Sequence, residues 1–469
     1  MSEVGDNAIV LGASMGGLLA ARVLADFYRT VTVVERDVLP DDPVNRRGVP
    51  QGRQPHAVLA RCAQILEELF PGFLDELVAG GAPVWNDGDL SKYWASFGGH
   101  RLVRPAALPN PQAVVHYHAS RPFLEWNVRR RVRALANVTI LDGHDVLGLT
   151  STPERDRVAG ARVVRRACGT GSTLTADLVV DATGRGSRAP VFLDEMGYGR
   201  PPEDELVIHL TYASQPVRIP PGTLHENLIF IAPEPSRPTL FAIFAAENDT
   251  GLVGVGTLGG VEPPTRRAEL LDFAASFAPA HALAAVRAAE PLAEIAQYRI
   301  PSNRWRRYDK MPRTPQGLLV FGDAICSFNP VYGQGMTVAA SQALILRDCL
   351  RRGDDDLPRR FFRTSAKKIR VAWQIAVRSD LALPQVEGPR SLTTRITNAY
   401  LDRVLAAAET DPAVTQQFLR LIGMIDAPSR LLRPSLMFRV ARANRRRTPT
   451  EGQMSPHDPG DDAKSAIRC

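Results

Sequence analysis

The feature that most constrains the fold of this 469-residue chain is a strand–turn–helix–strand pattern at its N-terminus. Residues 7–12, NAIVLG, have the apolar run of a short buried strand, and residues 16–27, GGLLAARVLADF, have the apolar face of a helix. A second buried strand, VTVVE, follows at 31–35. Strand, helix and strand in this order form a βαβ unit, whose two strands lie parallel. The pattern therefore predicts an α/β fold that begins with a parallel sheet.

The turn of this unit is GASMGG, Gly12 to Gly17, and it is compatible with two functions. In a dinucleotide fingerprint, Ser14 would replace the middle glycine, and the turn and helix start would hold a pyrophosphate. In the nucleophile elbow of an α/β-hydrolase, Ser14 would be the nucleophile, but only eleven residues precede Gly12 and the elbow needs earlier strands. The fingerprint also predicts an acid about twenty residues further on, where Glu35 lies. We therefore favour dinucleotide binding, with a purely structural turn as the remaining alternative.

Two later segments repeat the pattern of a buried strand that ends in a polar turn. They are VVDATGRGSR at 179–188 and GLLVFGDAICSFNPVYGQGM at 317–336. Because ligands of a doubly wound sheet bind at the carboxyl ends of its strands, Asp323 is placed to hold a polyol or ribityl hydroxyl. The turn after Asp323 contains Pro330, Gly333 and Gly335, so its backbone can approach the edge of a flat ring closely. The helix that starts near Met336 points its positive end at that ring. We predict that this ring is a flavin.

Five motifs together resemble those of FAD-dependent monooxygenases of the p-hydroxybenzoate hydroxylase fold. In chain order they are GASMGG, VVERD, SRPFLEW, DATGRGSR and GDAICSFNPVYGQGMTVAA, and the resemblance covers about residues 5–440. Two further segments, RRGVPQGRQPHAVL and AWQIAVRSDLALP, are similar to the squalene-epoxidase-like branch, which includes epoxidases of bacterial polyether pathways. The resemblance implies a Rossmann-like FAD-binding lobe, a β-sheet substrate lobe and C-terminal helices.

We divide the chain accordingly. The predicted FAD-binding domain is discontinuous, and the β-rich substrate domain occupies the intervals within it. The segments are 1–75, 116–188 and 295–352 for FAD binding, 76–115 and 189–294 for the substrate domain, 353–443 for the helical region and 444–469 for a disordered tail.

The resemblance also implies roles for particular residues. Glu35 and Arg36 would lie near the adenosine ribose, Arg46 or Arg47 would approach the FAD, and Arg121 would face the pyrophosphate or the flavin. Val146 would offer its backbone to the adenine, and Asp323 and Met336 would take the ribityl and ring-edge positions. The remaining predicted cofactor contacts are Gly12, Ser14, Gly17 and Gly335, and the predicted pocket residues are Pro330, Tyr332 and Gly333.

The chain departs from the family pattern at two places. Ser14 replaces a glycine, and Ile325-Cys326 stands where aromatic hydroxylases usually have a histidine, which weakens a phenol-hydroxylase assignment. Flavin halogenases share the fold, but their Trp-x-Trp-x-Ile-Pro segment is missing. We expect no dedicated protein acid or base, because the cofactor carries the chemistry.

The implied reaction is a monooxygenation. NADPH or NADH would reduce the flavin, O2 would form a C4a-hydroperoxide, and one oxygen atom would pass to an electron-rich carbon. The apolar, β-rich stretch 205–260 predicts a large hydrophobic substrate, an alkene of a polyketide or terpenoid kind in secondary metabolism such as antibiotic biosynthesis. No second dinucleotide fingerprint is present, which fits transient docking of the nicotinamide or a separate flavin reductase. The alternatives are an aromatic hydroxylase, a flavin dehydrogenase or reductase without oxygen insertion, and a non-catalytic flavoprotein.

Composition limits the remaining possibilities. No apolar stretch approaches the ~20 residues of a membrane span, no secretion signal is recognisable, and five scattered cysteines favour a reduced cytoplasm. The net charge of +7 is local, since residues 427–447 hold seven arginines and no acid, so no nucleic-acid partner is expected.

Residues 414–443 mix these arginines with apolar residues. They would either pack over the FAD lobe and close the pocket, which we favour, or rest on a membrane surface.

Several other conspicuous residues are explained by ordinary structural roles. His116 and His118 could form half of a metal site, but no third ligand stands at a telling spacing, so no metal is predicted. Cys326 is expected to be a small buried residue rather than a redox partner. Trp85, Trp94 and Phe97 either line a substrate pocket or belong to the core.

Overall fold

A computed structural model describes residues 3–446, and within them the chain has a mixed α/β fold. In chain order the strands are β1 (Gly5–Leu11), β2 (Tyr28–Val34), β3 (Val84–Trp85), β4 (Tyr93–Phe97), β5 (His100–Arg101), β6 (His116–Tyr117), β7 (Val138–Leu141), β8 (His144–Ser151), β9 (Val158–Arg165), β10 (Gly171–Thr175), β11 (Leu178–Asp181), β12 (Glu203–Arg218), β13 (Leu228–Ile231), β14 (Thr239–Ala245), β15 (Thr250–Thr257), β16 (Glu290–Pro291), β17 (Ala296–Arg306), β18 (Leu318–Val320) and β19 (Cys326–Ser327).

The helices include the predicted helix of the first βαβ unit and a C-terminal series. In chain order they are α1 (Met15–Leu24), α2 (Ala60–Leu69), α3 (Phe73–Ala79), α4 (Arg121–Arg133), α5 (Ala189–Glu195), α6 (Arg267–Ala275), α7 (Ala280–Ala288), α8 (Gly335–Leu350), α9 (Leu357–Asp380), α10 (Leu392–Ala408), α11 (Pro412–Ile422) and α12 (Pro434–Arg446). Within residues 3–446, no helix is both long and apolar enough to cross a membrane.

The first lobe is built on a parallel sheet with the strand order β18-β11-β1-β2-β7. Val10 of β1 pairs with Val180 of β11 on one side and with Val33 of β2 on the other, and all three side chains are fully buried. Helices cover both faces of such a sheet, which is why its strands are continuous apolar runs. Strand β2, which follows β1 in the chain, pairs on one side of β1, and the much later strand β11 pairs on its other side. The carboxyl end of β1 is therefore the point where a doubly wound sheet binds its ligand.

The second lobe is a nine-stranded sheet that includes β4, β5, β12 to β17 and β19. Its longest pairing joins β12 to β17 in an antiparallel ladder with a β-bulge between Val207 and Leu210. The long strand β17 and the short β19 lie within segment 295–352, which the sequence pattern assigned to FAD binding. They belong to the large sheet because β17 supplies the partner that the 16-residue β12 needs. The domain boundaries remain a prediction.

The C-terminal helices divide between the two lobes. Helix α9 packs on the first lobe, where Phe361 stacks on Phe321 with ring centroids 6.0 Å apart. Helices α10 to α12 pack instead on the large sheet, and Phe418 of α11 contacts Phe97 of β4 with centroids 5.1 Å apart. Residues 414–443 were expected to pack over the FAD lobe and close the pocket. They pack mainly with the core of the large sheet, and Phe418 and Met437 among them line the cavity, as residues that close it would. Helix α12 continues to Arg446, and the rest of the predicted tail lies outside the described residues.

Candidate cofactor and substrate site

A cavity of about 1750 Å³ separates the carboxyl edge of the parallel sheet from the inner face of the large sheet. Typical ligand pockets measure about 300–1,000 Å³, so this cavity is large enough for a cofactor together with a substrate. Most of the residues predicted from the sequence line it: Gly12, Ser14, Glu35, Arg36, Arg46, Arg47, Arg121, Val146, Asp323, Pro330, Tyr332, Gly333, Gly335 and Met336. Gly17 is the exception, because it lies beneath the first turn.

The first turn has the tight geometry of a dinucleotide fingerprint. Gly12 has φ +99°, and a Cβ there would lie 2.8 Å from the carbonyl oxygen of Ala182. A Cβ on Gly17 would lie 1.8 Å from the carbonyl oxygen of Gly12, so only glycine lets helix α1 approach the strand this closely. The two glycines thus shape a turn at the cavity wall, whereas Gly17 itself does not face the cavity.

Glu35 stands at the end of β2 and is buried against this turn. Its Oε2 accepts a hydrogen bond from the backbone N–H of Ala13 at 2.7 Å, and its Oε1 accepts one from the N–H of Asp37 at 3.0 Å. Arg46 Nη1 lies 3.3 Å from Oε2. The carboxylate therefore orders the turn itself, in addition to lying beside the cavity where a ribose was predicted.

A buried ionic cluster forms the wall beside the turn. Arg46 donates from Nε to Glu125 Oε1 at 2.8 Å, and Arg121 donates from Nη2 to the hydroxyl of Ser14 at 2.8 Å and to Glu125 Oε2 at 3.3 Å. Ser14 in turn donates to Glu125 Oε2 at 2.9 Å. Burial raises the pKa of Glu125, but the guanidiniums of Arg121 and Arg46 outweigh burial and hold it below its usual value. The serine that replaces the family's glycine thus joins the first turn to helix α4.

Glu125 was missed in the sequence analysis, although a signal for it exists. It lies four residues after Arg121 in the motif SRPFLEW, and residues at that spacing meet on one face of a helix. An arginine expected to face a cofactor, followed by an acid at this spacing, indicates an ion pair that orients the arginine.

Arg46 and Arg47 have different surroundings. Arg46 is almost fully buried, and Glu125, Asp37 and the carbonyl of Ala13 occupy its guanidinium. Arg47 is exposed, lines the cavity, and makes no ion pair with the described residues. Arg36 is likewise exposed at the cavity wall. Of the two loop arginines, Arg47 is therefore the one with donors available for a ligand.

Asp323 provides a carboxylate that faces the cavity without a hydrogen-bond partner among residues 3–446. The side chain is open to the cavity, but the surrounding chain encloses it. This enclosure raises the pKa of Asp323, and Arg121 and Arg185 oppose the rise. Helix α8 begins close by at Gly335, where a Cβ would lie 3.9 Å from Asp323 Oδ1, and no side chain caps this helix start. An acceptor carboxylate and the positive end of a helix therefore lie side by side.

The opposite end of the cavity is an apolar chamber. Its floor is the large sheet, with Phe97, Phe230 and Phe244, and its roof is formed by helices α9 to α11, with Leu401 and Phe418 among the lining residues. Of the three aromatic residues singled out from the sequence, Phe97 lines this chamber. Trp85 is fully buried in the core, and Trp94 is absent from the cavity lining because it alternates to the other face of β4.

His116 and His118 share one tyrosine. The hydroxyl of Tyr93 lies 2.9 Å from His116 Nδ1 and 2.8 Å from His118 Nε2. Burial lowers the pKa of His116 to about 4 and that of His118 to about 3, so both rings are neutral. Among residues 3–446, no cluster of three or more His, Cys, Asp or Glu side chains could hold a metal ion. Cys326 is buried away from the cavity lining, and its burial raises the pKa of the thiol.

The chain matches no protein-family model. It is 38% identical over 442 residues to Protein Rv3254 of Mycobacterium tuberculosis (strain ATCC 25618 / H37Rv), a match that covers 90% of each chain. An identity this high over nearly the whole length shows a common family.

Several solved structures share the fold at low sequence identity. They are the flavin-dependent brominase Bmp2 (TM-score 0.63, 13% identity, 94% of this chain and 99% of that chain), a flavoprotein/dehydrogenase from Cytophaga hutchinsonii (0.64, 14%, 94% and 98%) and the anhydrotetracycline hydroxylase OxyS from Streptomyces rimosus (0.58, 16%, 90% and 76%). These likenesses concern the fold alone. The chain belongs to the same family as Protein Rv3254 and has the fold of FAD-binding monooxygenases.

Proposed function

We propose that this protein is an FAD-dependent monooxygenase that inserts one oxygen atom of O2 into a hydrophobic substrate. The observation that carries the proposal is the continuity of the cavity, whose polar end at the parallel sheet opens into the apolar chamber. The fold, shared with proteins that include a flavin-dependent brominase and a hydroxylase, supports the same function. When FAD is bound in this cavity and reduced by NADPH or NADH, it supplies the chemistry that activates O2.

The residues of the polar end fit this cofactor. The carboxylate of Asp323, which has no hydrogen-bond partner in the described part of the chain, would accept hydrogen bonds from ribityl hydroxyls. The start of α8 would favour negative charge at the edge of the ring. Arg47 and Arg36 are exposed at the cavity wall and make no ion pair within residues 3–446, so their donors would serve the phosphates and the ribose. Arg121 and Arg46 are held by Glu125, so they act mainly by fixing the shape of the cavity wall beside the first turn. The protein's part is to bind, orient and exclude water, and no acid or base is assigned.

The apolar chamber favours epoxidation of a large alkene of a polyketide or terpenoid kind. Its aromatic and aliphatic walls offer burial rather than ionic recognition, and burial of apolar area contributes roughly 25 cal/mol per Å². Hydroxylation of an aromatic substrate is the second candidate, and reduction without oxygen insertion is the third. The brominase shares the fold, but the tryptophan motif of halogenases is missing from this sequence.

The first prediction concerns the cofactor. We expect the purified protein to be yellow and to take up FAD, and Asp323→Ala to weaken FAD binding by roughly 1.5–3 kcal/mol, the value of hydrogen bonds to a charged group. Asp323 is a cleaner probe than Glu35, because Glu35 also holds the backbone of the turn. FAD affinity is measured by fluorescence titration, with the exposed Asp194→Ala as the control. A colourless protein without FAD affinity would contradict the proposed function, and equal affinity in both variants would remove Asp323 from the site.

The reaction is tested on the FAD-loaded protein with a panel of long alkenes and small phenols. We expect substrate-dependent oxidation of NADPH or NADH, and a product that gains one oxygen atom by mass spectrometry under ¹⁸O2. If oxidation occurs only after a flavin reductase is added, that reductase is a partner. Preference for phenols would favour the aromatic hydroxylase, and nicotinamide oxidation without oxygen in the product would favour the reductase.

A second prediction concerns the mouth of the apolar chamber, which we propose rests on an anionic membrane surface. Large apolar side chains are exposed around it, including Leu392 at 71% and Phe438 at 68%, and Ile396, Leu432 and Met437 line both the mouth and the cavity. Arg430, Arg433, Arg439 and Arg442 belong to the same C-terminal segment as Leu432, Met437 and Phe438, and each basic residue near an anionic surface contributes about 1 kcal/mol. A cytoplasmic enzyme would in this way take a lipophilic substrate from the membrane.

Sedimentation with phosphatidylglycerol vesicles measures this contact. We expect the protein to bind anionic vesicles more tightly than phosphatidylcholine vesicles, and the double variant Leu392→Ser, Phe438→Ser to bind more weakly. Val261→Ser, which changes an exposed valine elsewhere, is the matched control. If the double variant binds as tightly as the control, the helices only cover the chamber.

A further inference from the structure

Asp380, the last residue of α9, is a fully buried carboxylate that forms no ion pair with a cation among residues 3–446. Three neutral donors surround it instead. Asn303 Nδ2 donates to Oδ2 at 2.7 Å, and Oδ1 accepts from Asn329 Nδ2 at 2.7 Å and from the hydroxyl of Tyr332 at 2.8 Å. A buried carboxylate without a counter-charge is costly, so an apolar residue would be expected here if only packing mattered.

The three donors come from different parts of the molecule. Asn303 lies on β17 of the large sheet, whereas Asn329 and Tyr332 lie in the loop 328–334, which lines the cavity just before helix α8. Asp380 therefore joins the large sheet, the C-terminal helices and the loop whose backbone was predicted to lie against the flavin. We call residues 328–334 the ring-edge loop.

The two asparagines are fixed in orientation. Asn303 Oδ1 accepts from the backbone N–H of Asn329 at 2.5 Å, and Asn329 Oδ1 accepts from the N–H of Val331 at 3.0 Å. Neither amide can turn to offer its oxygen to Asp380 without losing a backbone hydrogen bond. The hydroxyl of Tyr332 can rotate, so it is the one of the three partners that can accept a hydrogen bond from the O–H of a protonated carboxyl group.

We propose that Asp380 is the positioning residue of the ring-edge loop and that proton uptake by its carboxylate releases Tyr332 and loosens the loop. The ionised carboxylate accepts all three hydrogen bonds. When one oxygen takes a proton, that O–H donates to Tyr332, and the tyrosine must give up its own donation to Asp380. The proton comes from solvent, and no other bond forms or breaks. The inference rests on the proposed function only in naming the flavin as the group beside the loop.

The protonation falls within an accessible pH range. Burial raises the pKa of Asp380 to about 6, against the three hydrogen bonds that lower it. The titratable groups that face it from other elements are Tyr332 on the loop and Tyr212 on β12, and burial holds the pKa of both phenols well above the ordinary value, so both are neutral. Arg378, two residues earlier on α9, is a charged neighbour at the chamber wall. The loop is therefore held above about pH 6 and loosened below it.

Amide hydrogen exchange measured by mass spectrometry tests this on the full chain. After correction for intrinsic exchange, we expect peptides covering residues 328–335 to exchange at least about tenfold faster at pH 5 than at pH 7.5. In Asp380→Asn the exchange should be fast at both pH values. Asp356→Asn, at the exposed opposite end of the same helix, should behave like the wild type. No pH effect in the wild type, or an undiminished effect in Asp380→Asn, would overturn the proposal.

Tyr332→Phe supplies a second test that does not remove the charge. Losing one hydrogen bond to the ionised carboxylate should move the midpoint of the pH transition upward, and an unchanged midpoint would exclude Tyr332 as the responding group. This variant and the wild-type titration decide the proposal if Asp380→Asn does not fold. None of these measurements requires FAD. Failure to bind FAD would therefore contradict the proposed function but would leave the hydrogen-exchange result unchanged. If FAD binds, the pH dependence of its absorption spectrum is an additional measurement.

Discussion

Glu125→Leu will destabilise the protein by about 3–5 kcal/mol, because it leaves Arg46 and Arg121 buried without the carboxylate that both contact. The same change removes the hydrogen bond from the hydroxyl of Ser14 to Glu125, which leaves Arg121 as the contact of Ser14 with α4. We expect a lower midpoint in urea unfolding and a loss of FAD affinity. Removing Glu125 affects both arginines at once, whereas removing either arginine leaves the other paired with Glu125.

Two comparisons make this result specific. Glu269→Leu changes an exposed glutamate that pairs with the exposed Arg266 at a helix surface, and it should shift stability by less than about 1 kcal/mol. Glu125→Gln keeps the shape of the side chain and should fall between the two. An unfolding midpoint for Glu125→Leu equal to that of Glu269→Leu would show that the buried cluster contributes nothing.

Gly17→Ala will prevent the first lobe from forming its native turn. The added Cβ would lie 1.8 Å from the carbonyl oxygen of Gly12 and 2.9 Å from its carbonyl carbon, so helix α1 would have to move away from the strand. Forced shifts of this kind usually cost about 1–3 kcal/mol and occasionally more, and a clash with backbone belongs to the upper end. We expect poor soluble expression or a loss of roughly 3 kcal/mol or more in urea unfolding.

The neighbouring glycine is the control. A Cβ on Gly16 would lie 3.5 Å from Phe321 Cδ1, which is an ordinary contact, and alanine favours a helix by up to about 1 kcal/mol over glycine. Gly16→Ala should therefore fold as well as the wild type. If both variants unfold at the same urea concentration, the close approach of α1 to the first strand is not what requires glycine at position 17.

The local features of the site were predictable because local chemistry produces them. The apolar runs of β1 and β2 follow from periodicity, and the glycines of the first turn follow from a backbone conformation and a close approach that only glycine permits readily. The predicted positions of Glu35 and Asp323 at the carboxyl edge of the sheet follow from the same rule, since parallel strands end on one side.

The choice between Arg46 and Arg47 could not be made from the sequence. The two are adjacent in a long loop, and their roles differ because Glu125, from a helix 79 residues later, reaches one guanidinium and not the other. Sequence spacing records which residues are charged, but the pairing of charges depends on which elements pack together. The same reason explains why α11 and α12, which were expected over the FAD lobe, pack mainly with the core of the large sheet.

The sequence by itself determined the βαβ start, the glycine turn, the ring-edge loop and the residue types available to hold a flavin, because each depends on neighbours within a few positions. The tertiary structure alone decided that β17 joins the large sheet, that the apolar chamber opens onto the polar end of the cavity, and that Asp380 meets a loop 51 residues earlier in the chain. Those contacts depend on the packing of whole elements, where burial of apolar surface selects the arrangement and no short-range pattern specifies it.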